Sequence, residues 1–212
     1  MSDTKELLQR TVSFCKDIGM FTINRPVSSC TWRTSYCVHC YNSRLYKIFP
    51  GMKIKDPYNE SAWNVIDGKI LNEVLNVKRK QTKRIRLMSR GEAFSNECDI
   101  ERVKDILNNN KKRIFWVPTR AWRNEKMRKI LESEIFNISN IRLMASIDPS
   151  NNNEEIASLI NSGWSTMYYG NNTETEGRYI CPKTHKKIKG HCATCRNGCF
   201  SKKQVHVHLK KH

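Results

Sequence analysis

RIFWVPT, residues 113–119, carries an unbroken apolar run that a proline and a threonine close. A strand with one wet face alternates apolar and polar residues. A continuous run such as this one marks a parallel strand covered on both faces. Working outward, similar short strands read at "IRLMASI" (141–147) and "STMYYG" (165–170) after it, and at "RIRLMS" (84–89) and "MFTIN" (20–24) before it. Between them lie stretches with helical spacing. Residues 60–80 place Trp63, Ile66, Ile70, Val74 and Leu75 on one face, and 97–109 do the same with Ile100, Val103, Ile106 and Leu107. Residues 123–136 and 152–162 also read as helices. Residues 4–18 read as a leading amphipathic helix, with Leu7, Leu8, Val12 and a buried Cys15. Strand and helix therefore alternate, which predicts an α/β chain built on a parallel sheet. The sheet is either a partial barrel or an open doubly wound one. In both, ligands bind at the carboxyl ends of the strands.

The composition narrows the partners. Of 212 residues, 38 are Lys or Arg and 20 are Asp or Glu, a formal net charge of +18. Such a balance favours nucleic acid, whose phosphates exchange counterions for Lys and Arg, or an acidic host protein. No run reaches the ~20 apolar residues of a spanning helix, so no membrane partner is expected. The polar start "MSDTKELLQRTVSF" lacks the apolar stretch of a secretory signal. A cytoplasmic location follows as the expectation, with thiols kept reduced. Oligomeric state is not legible.

Seven of the nine cysteines fall into two clusters, which in a reducing compartment read as metal ligands. The first is Cys30, Cys37 and Cys40 in "SSCTWRTSYCVHCYNSR" (28–44), directly after the first strand. Thiolates suit Zn²⁺ and iron–sulfur clusters. Three of them holding a [4Fe–4S] cluster leave one iron open; structural zinc with a distant fourth ligand is the alternative. The second is Cys181, Cys192, Cys195 and Cys199 in "CPKTHKKIKGHCATCRNGC" (181–199). Four thiols complete the set for either Zn²⁺ or a second [4Fe–4S] cluster. His185 and His191 nearby read as surface histidines.

Other stretches sit where βα proteins bind ligands. Gly91-Glu92 follows the second strand and presents a turn with a carboxylate. Thr119, Arg120, Trp122 and Arg123 follow the third, combining donors with a flat ring suited to phosphate or a base. Ser146 and Asp148 end the fourth. The densest basic run is "VKRKQTKRIR" (77–86), where Lys78, Arg79, Lys80, Lys83 and Arg84 are the candidate nucleic-acid contacts. Lys111, Lys112 and Arg113 form another patch. His206 and His208 in the closing "VHVHLKKH" read as one face of a terminal edge strand.

The ordered set "CTWRTSYCVHCYNSR", "RLMSRGEAFS", "IFWVPTRAWR", "RLMASIDPS" and "HCATCRNGC" resembles the phage gene product 88 family. Its members look like small relatives of radical S-adenosylmethionine (SAM) enzymes. The resemblance runs from about residue 20 to the end. It implies a partial parallel (β/α) barrel of the radical SAM type; the chain's own pattern divides it into an N-terminal helix over 1–19, a core over 20–175 and a small cysteine-rich module over 176–212, where the strand–helix alternation stops. It also implies a [4Fe–4S] cluster on Cys30, Cys37 and Cys40 whose free iron chelates SAM for reductive cleavage to a 5′-deoxyadenosyl radical. Gly91-Glu92 would meet the methionine amino group, Tyr41 would lie near the adenine, and Thr119, Arg120 and Trp122 would help to line the pocket. The gap between Cys30 and Cys37 is longer than the usual radical SAM spacing. The family implies no particular reaction. The expectation is a phage protein acting on or near nucleic acid in the host cytoplasm. The alternative is a non-enzymatic, zinc-stabilised module that binds nucleic acid or a host protein.

Overall fold

The computed structural model of the chain describes residues 2–78, 82–170, 177–186, 188, 191–196 and 198–210. Along the chain run α1 (Ser2–Thr11), β1 (Ser13–Cys15), β2 (Met20–Ile23), α2 (Tyr41–Ile48), α3 (Gly51–Asn64) and α4 (Gly68–Val77). Then come β3 (Arg84–Leu87), α5 (Cys98–Asn109), β4 (Ile114–Thr119), α6 (Glu125–Ile130), β5 (Ile141–Ile147), α7 (Asn153–Asn161) and β6 (Ser165–Gly170). Last are β7 (Tyr179–Ile180), α8 (Pro182–His185), α9 (His191–Thr194) and β8 (His206–Lys210).

These strands form one eight-stranded sheet in the order β1-β2-β3-β4-β5-β6-β8-β7. Among the described residues only the β1–β2 hairpin is antiparallel; the other pairs are parallel. From β2 to β6 the strands lie side by side in chain order. A doubly wound sheet reverses its order partway, so this α/β sheet is compatible with a partial barrel instead.

The pleat of the strands divides the core in two. Ile85, Leu87, Phe115, Val117, Leu143, Ala145 and Ile147 face the helices, and pack into one cluster with residues such as Leu8, Trp63, Leu71, Val103 and Leu159. Each such side chain, fully buried, contributes roughly 1.5–3 kcal/mol. Met20, Trp116, Met144, Met167 and Val207 face the other way and pack with Ile18, Cys181 and Phe200. The continuous apolar run in β4 reflects this: Phe115 and Val117 serve one cluster, and Trp116 the other.

Several local expectations need correction. The expected helix over 4–18 stops at Thr11, because Ser13, Phe14 and Cys15 pair with β2 and Phe14 sets its ring edge-on to Phe21 at 5.4 Å. The expected helix over 60–80 is two helices: Asp67 Oδ1 accepts from the backbone N–H groups of Lys69 and Ile70, at 2.8 and 2.9 Å, and starts a new one. Residues 41–48 and 51–64 are helical, interrupted at Phe49 and Pro50, with Pro57 inside the second helix. The terminal strand is not an edge strand, since β8 lies between β6 and β7. The segment from 176 onward thus supplies strands to the main sheet.

Candidate functional site

The carboxyl ends of β2 and β3 are laced together. The Asn24 side-chain oxygen accepts from Ser89 N, Ser89 Oγ and Arg90 N at 2.7–3.2 Å. Gly91 holds φ at +81°, a region that favours glycine. A Cβ there would stand 2.7 Å from Arg25 Cβ and 2.8 Å from the Arg25 carbonyl oxygen. Beneath this turn the buried Arg25 guanidinium pairs with Glu60 at 2.6 Å and with the fully buried Asp99 at 3.0 Å. Ser29 Oγ accepts from Glu92 N at 3.0 Å, and Trp32 Nε1 donates to the Phe94 carbonyl at 2.7 Å. The start of the cysteine loop is therefore fastened to the Gly91-Glu92 turn, and this fastening sets where the thiols stand.

Cys30, Cys37 and Cys40 all line one cavity of about 220 Å³, with Gly91, Glu92, Thr119 and Arg120 on its walls. Burial first, then the nearby Glu92 and Cys40, pushes the Cys30 thiol up to about 12. Cys37 Sγ accepts from Arg120 Nη1 at 2.6 Å and from Thr34 N at 3.3 Å. The same guanidinium pairs with the fully buried Asp148 at 2.8 Å, and Thr34 Oγ1 donates to that carboxylate at 2.9 Å. Arg120 thus ties the cysteine loop to the end of β5.

Glu92 is buried, and its carboxylate accepts from Thr119 Oγ1 at 2.7 Å, Arg120 N at 3.0 Å and Phe94 N at 3.2 Å. Burial raises its pKa and these donors work against the rise. Trp122 departs from expectation. It packs into the helix-side cluster and donates from Nε1 to the Ser146 carbonyl at 3.1 Å, so it supports the cavity wall from behind. Tyr41 opens α2, but its side chain lies outside the described residues.

The second set of thiols sits against the face of the sheet opposite the helices. Cys181, Cys192, Cys195 and Cys199 line a small cavity of about 20 Å³ between Trp116, Tyr179 and Phe200. Burial and the neighbouring thiols push Cys192 up to about 11, Cys199 well above its ordinary value, and Tyr179 up to about 12. His185, expected on the surface, instead stands with Nε2 3.0 Å from Nδ1 of the fully buried His208. The thiols of each set share a cavity. Among the described residues, though, no three Cys, His, Asp or Glu side chains form a group closed enough to hold a metal ion.

The basic run is divided. Arg79 and Lys80 lie outside the described residues. Lys83 is exposed, and Lys78 donates to the Gln9 carbonyl at 2.8 Å. Arg84 turns inward, donating to the Cys192 carbonyl at 2.7 Å and lying 4.6 Å over the Phe200 ring. No described helix is long and apolar enough to cross a membrane.

Sequence reasoning missed Arg86, which lines the cavity of the first thiol set and lies 4.5 Å over the Trp116 ring. The period of two in "RIRLM" was the available signal, since it puts Arg84, Arg86 and Met88 on one face. No family model matches the chain, and no curated protein or solved structure is significantly similar to it.

Proposed function

We propose that the chain is an iron–sulfur protein resembling the phage gene product 88 family and the radical SAM type. In this reading Cys30, Cys37 and Cys40 hold a [4Fe–4S] cluster and SAM occupies the open iron. One observation carries it: three thiols, the Gly91-Glu92 turn and Arg120 meet at one cavity, at the ends of parallel strands where βα proteins bind ligands. The donor set is all thiolate, which suits iron–sulfur chemistry, and about 220 Å³ leaves room for a ligand beside the thiols. When bound, such a cluster supplies the electron for cleaving SAM. The chain's own residues hold the loop in place. Arg120 and Thr34 position Cys37, Trp32 anchors the segment between Cys30 and Cys37, and Glu92, met by protein donors, fixes the backbone of Arg120. The net charge of +18 supports action on or near nucleic acid.

A different group suits the second site. Its cavity of about 20 Å³ is near the room one water-sized sphere needs, which favours a single Zn²⁺ on Cys181, Cys192, Cys195 and Cys199. If both sites held zinc, the chain would be a non-enzymatic module binding nucleic acid or an acidic host protein. Metal analysis of anaerobically purified protein separates the readings. Iron and sulfide in near-equal amounts, broad absorbance near roughly 400 nm, and an electron paramagnetic resonance spectrum that SAM changes are expected. Zinc alone would sink the iron–sulfur reading.

A further inference from the structure

We infer that the cavity lined by Cys30, Cys37 and Cys40 takes a small ligand with an apolar body and one carboxylate or phosphate group, and that Arg86 anchors its anionic end. An arginine keeps its charge under all ordinary conditions and presents a planar fork of donors. Inside a protein such a group calls for partners. Other inward-facing arginines here have them: Arg25 has Glu60 and Asp99, Arg113 has the side-chain oxygens of Asn72 and Asn76, and Arg84 has the Cys192 carbonyl. Among the described residues the Arg86 guanidinium has neither a hydrogen-bond nor an ion-pair partner, and its Nε is buried. It lies 4.5 Å over the Trp116 ring and lines the cavity.

The rest of the cavity agrees with that charge. Its other guanidinium groups are engaged, Arg33 on the carbonyls of Cys30 and Val27, and Arg120 on Cys37 and Asp148. Its carboxylate, Glu92, is turned to protein donors and is not a counter-ion for Arg86. Met88, Met167, Tyr169 and Leu209 add apolar surface to the lining of the same cavity. A bidentate anion with an apolar body complements this combination. The inference concerns the same cavity as the iron–sulfur reading, yet it rests on Arg86 and not on metal. The charge of Arg86 also acts on Cys192 and Cys199, so service to those thiols is the competing role.

The test uses full-length, anaerobically purified protein, with iron measured in each sample. Benzoate, phenyl phosphate and the neutral benzyl alcohol are compared by thermal unfolding and calorimetric titration. Benzoate or phenyl phosphate should raise the unfolding midpoint and benzyl alcohol should not; the stronger of the two anions identifies carboxylate or phosphate as the natural group. Arg86→Met, which keeps an apolar contact for Trp116, should abolish the shift. Arg86→Lys, which keeps the charge but loses the fork, should weaken binding about tenfold, and this variant carries the test if Arg86→Met does not fold. Equal binding by the wild type and the Arg86 variants would assign Arg86 to the thiols alone and overturn the inference. So would the failure of both anions to bind the wild type. Anion binding by an iron-free sample would sustain the anchor while removing the iron–sulfur reading.

Discussion

Arg120 donates to the sulfur of Cys37 at 2.6 Å, across 83 residues of chain. Because the same guanidinium also pairs with Asp148, it joins the cysteine loop, the end of β4 and the end of β5.

Removing that cation should be costly. Arg120→Met leaves the fully buried Asp148 carboxylate without its ion partner, although the Thr34 hydroxyl and the Ser150 hydroxyl and backbone N–H still donate to it. Breaking one side of a buried pair typically costs 3–5 kcal/mol, and the remaining donors place this case near about 3 kcal/mol. Denaturant unfolding measures it. A loss below roughly 1 kcal/mol would mean that Asp148 does not depend on Arg120.

Two glycines separate conformational cost from steric cost. Gly91 and Gly177 both hold positive φ, +81° and +67°. A Cβ at Gly177 meets nothing within 4 Å, whereas at Gly91 it strikes Arg25 and Ser29 at 2.7 Å. Gly177→Ala should therefore cost only about 1 kcal/mol. Gly91→Ala should cost about 3 kcal/mol or more and should loosen the cysteine loop. Equal losses at the two positions would show that the Arg25–Ser29 contact yields freely.

Acidification should weaken the C-terminal strand. Burial lowers the pKa of His206, and the nearby Arg178 adds to this; burial, His208 and Lys210 lower that of His185. A depressed histidine stabilises the fold above its unfolded pKa, about 6.5, and that stability is lost as pH falls through the folded value. Unfolding midpoints should drop from pH 7 to pH 5. His206→Asn should flatten the drop. An unchanged slope in that variant would exclude His206 as a source of it.

The two thiol sets should respond differently to substitution. Cys192 and Cys199 pack with the apolar cluster on the sheet, so a metal there adds directly to folding. Cys195→Ala should lower the unfolding midpoint markedly. Cys37→Ala should chiefly remove iron, since its loop lies beyond the sheet. Equal destabilisation by both variants would make the first set structural as well.

Nucleic-acid binding, if it uses the run 77–86, should depend steeply on salt. Lys83 is exposed and Lys78 is held by Gln9, whereas Arg84 is committed to Cys192. Neutralising Lys78, Arg79, Lys80 and Lys83 should weaken binding and flatten the salt slope. Arg84→Gln should instead disturb the second thiol set. A salt slope that the four substitutions leave unchanged would place any contact elsewhere.

The sequence by itself determined the alternation of strand and helix, the parallel strands β2 to β6, and the proximity of each cysteine set in the chain. Local physics suffices for these: apolar period and run length state which faces are buried, and short spacing brings Cys37 near Cys40 whatever the fold. It also showed Gly91 at a turn after β3. Tertiary structure decided which residues meet. The helix over 4–18 gave way because β2 offered Ser13–Cys15 a partner, and the closing strand entered the sheet because β6 offered another. Trp122 went to the core, and Arg86 to the cavity. Nothing in a linear pattern tells Arg84, bound to Cys192, from Arg86, which has no hydrogen-bond partner among the described residues. Both stand on the same face of one strand, and only the segment that packs over Arg84 distinguishes them.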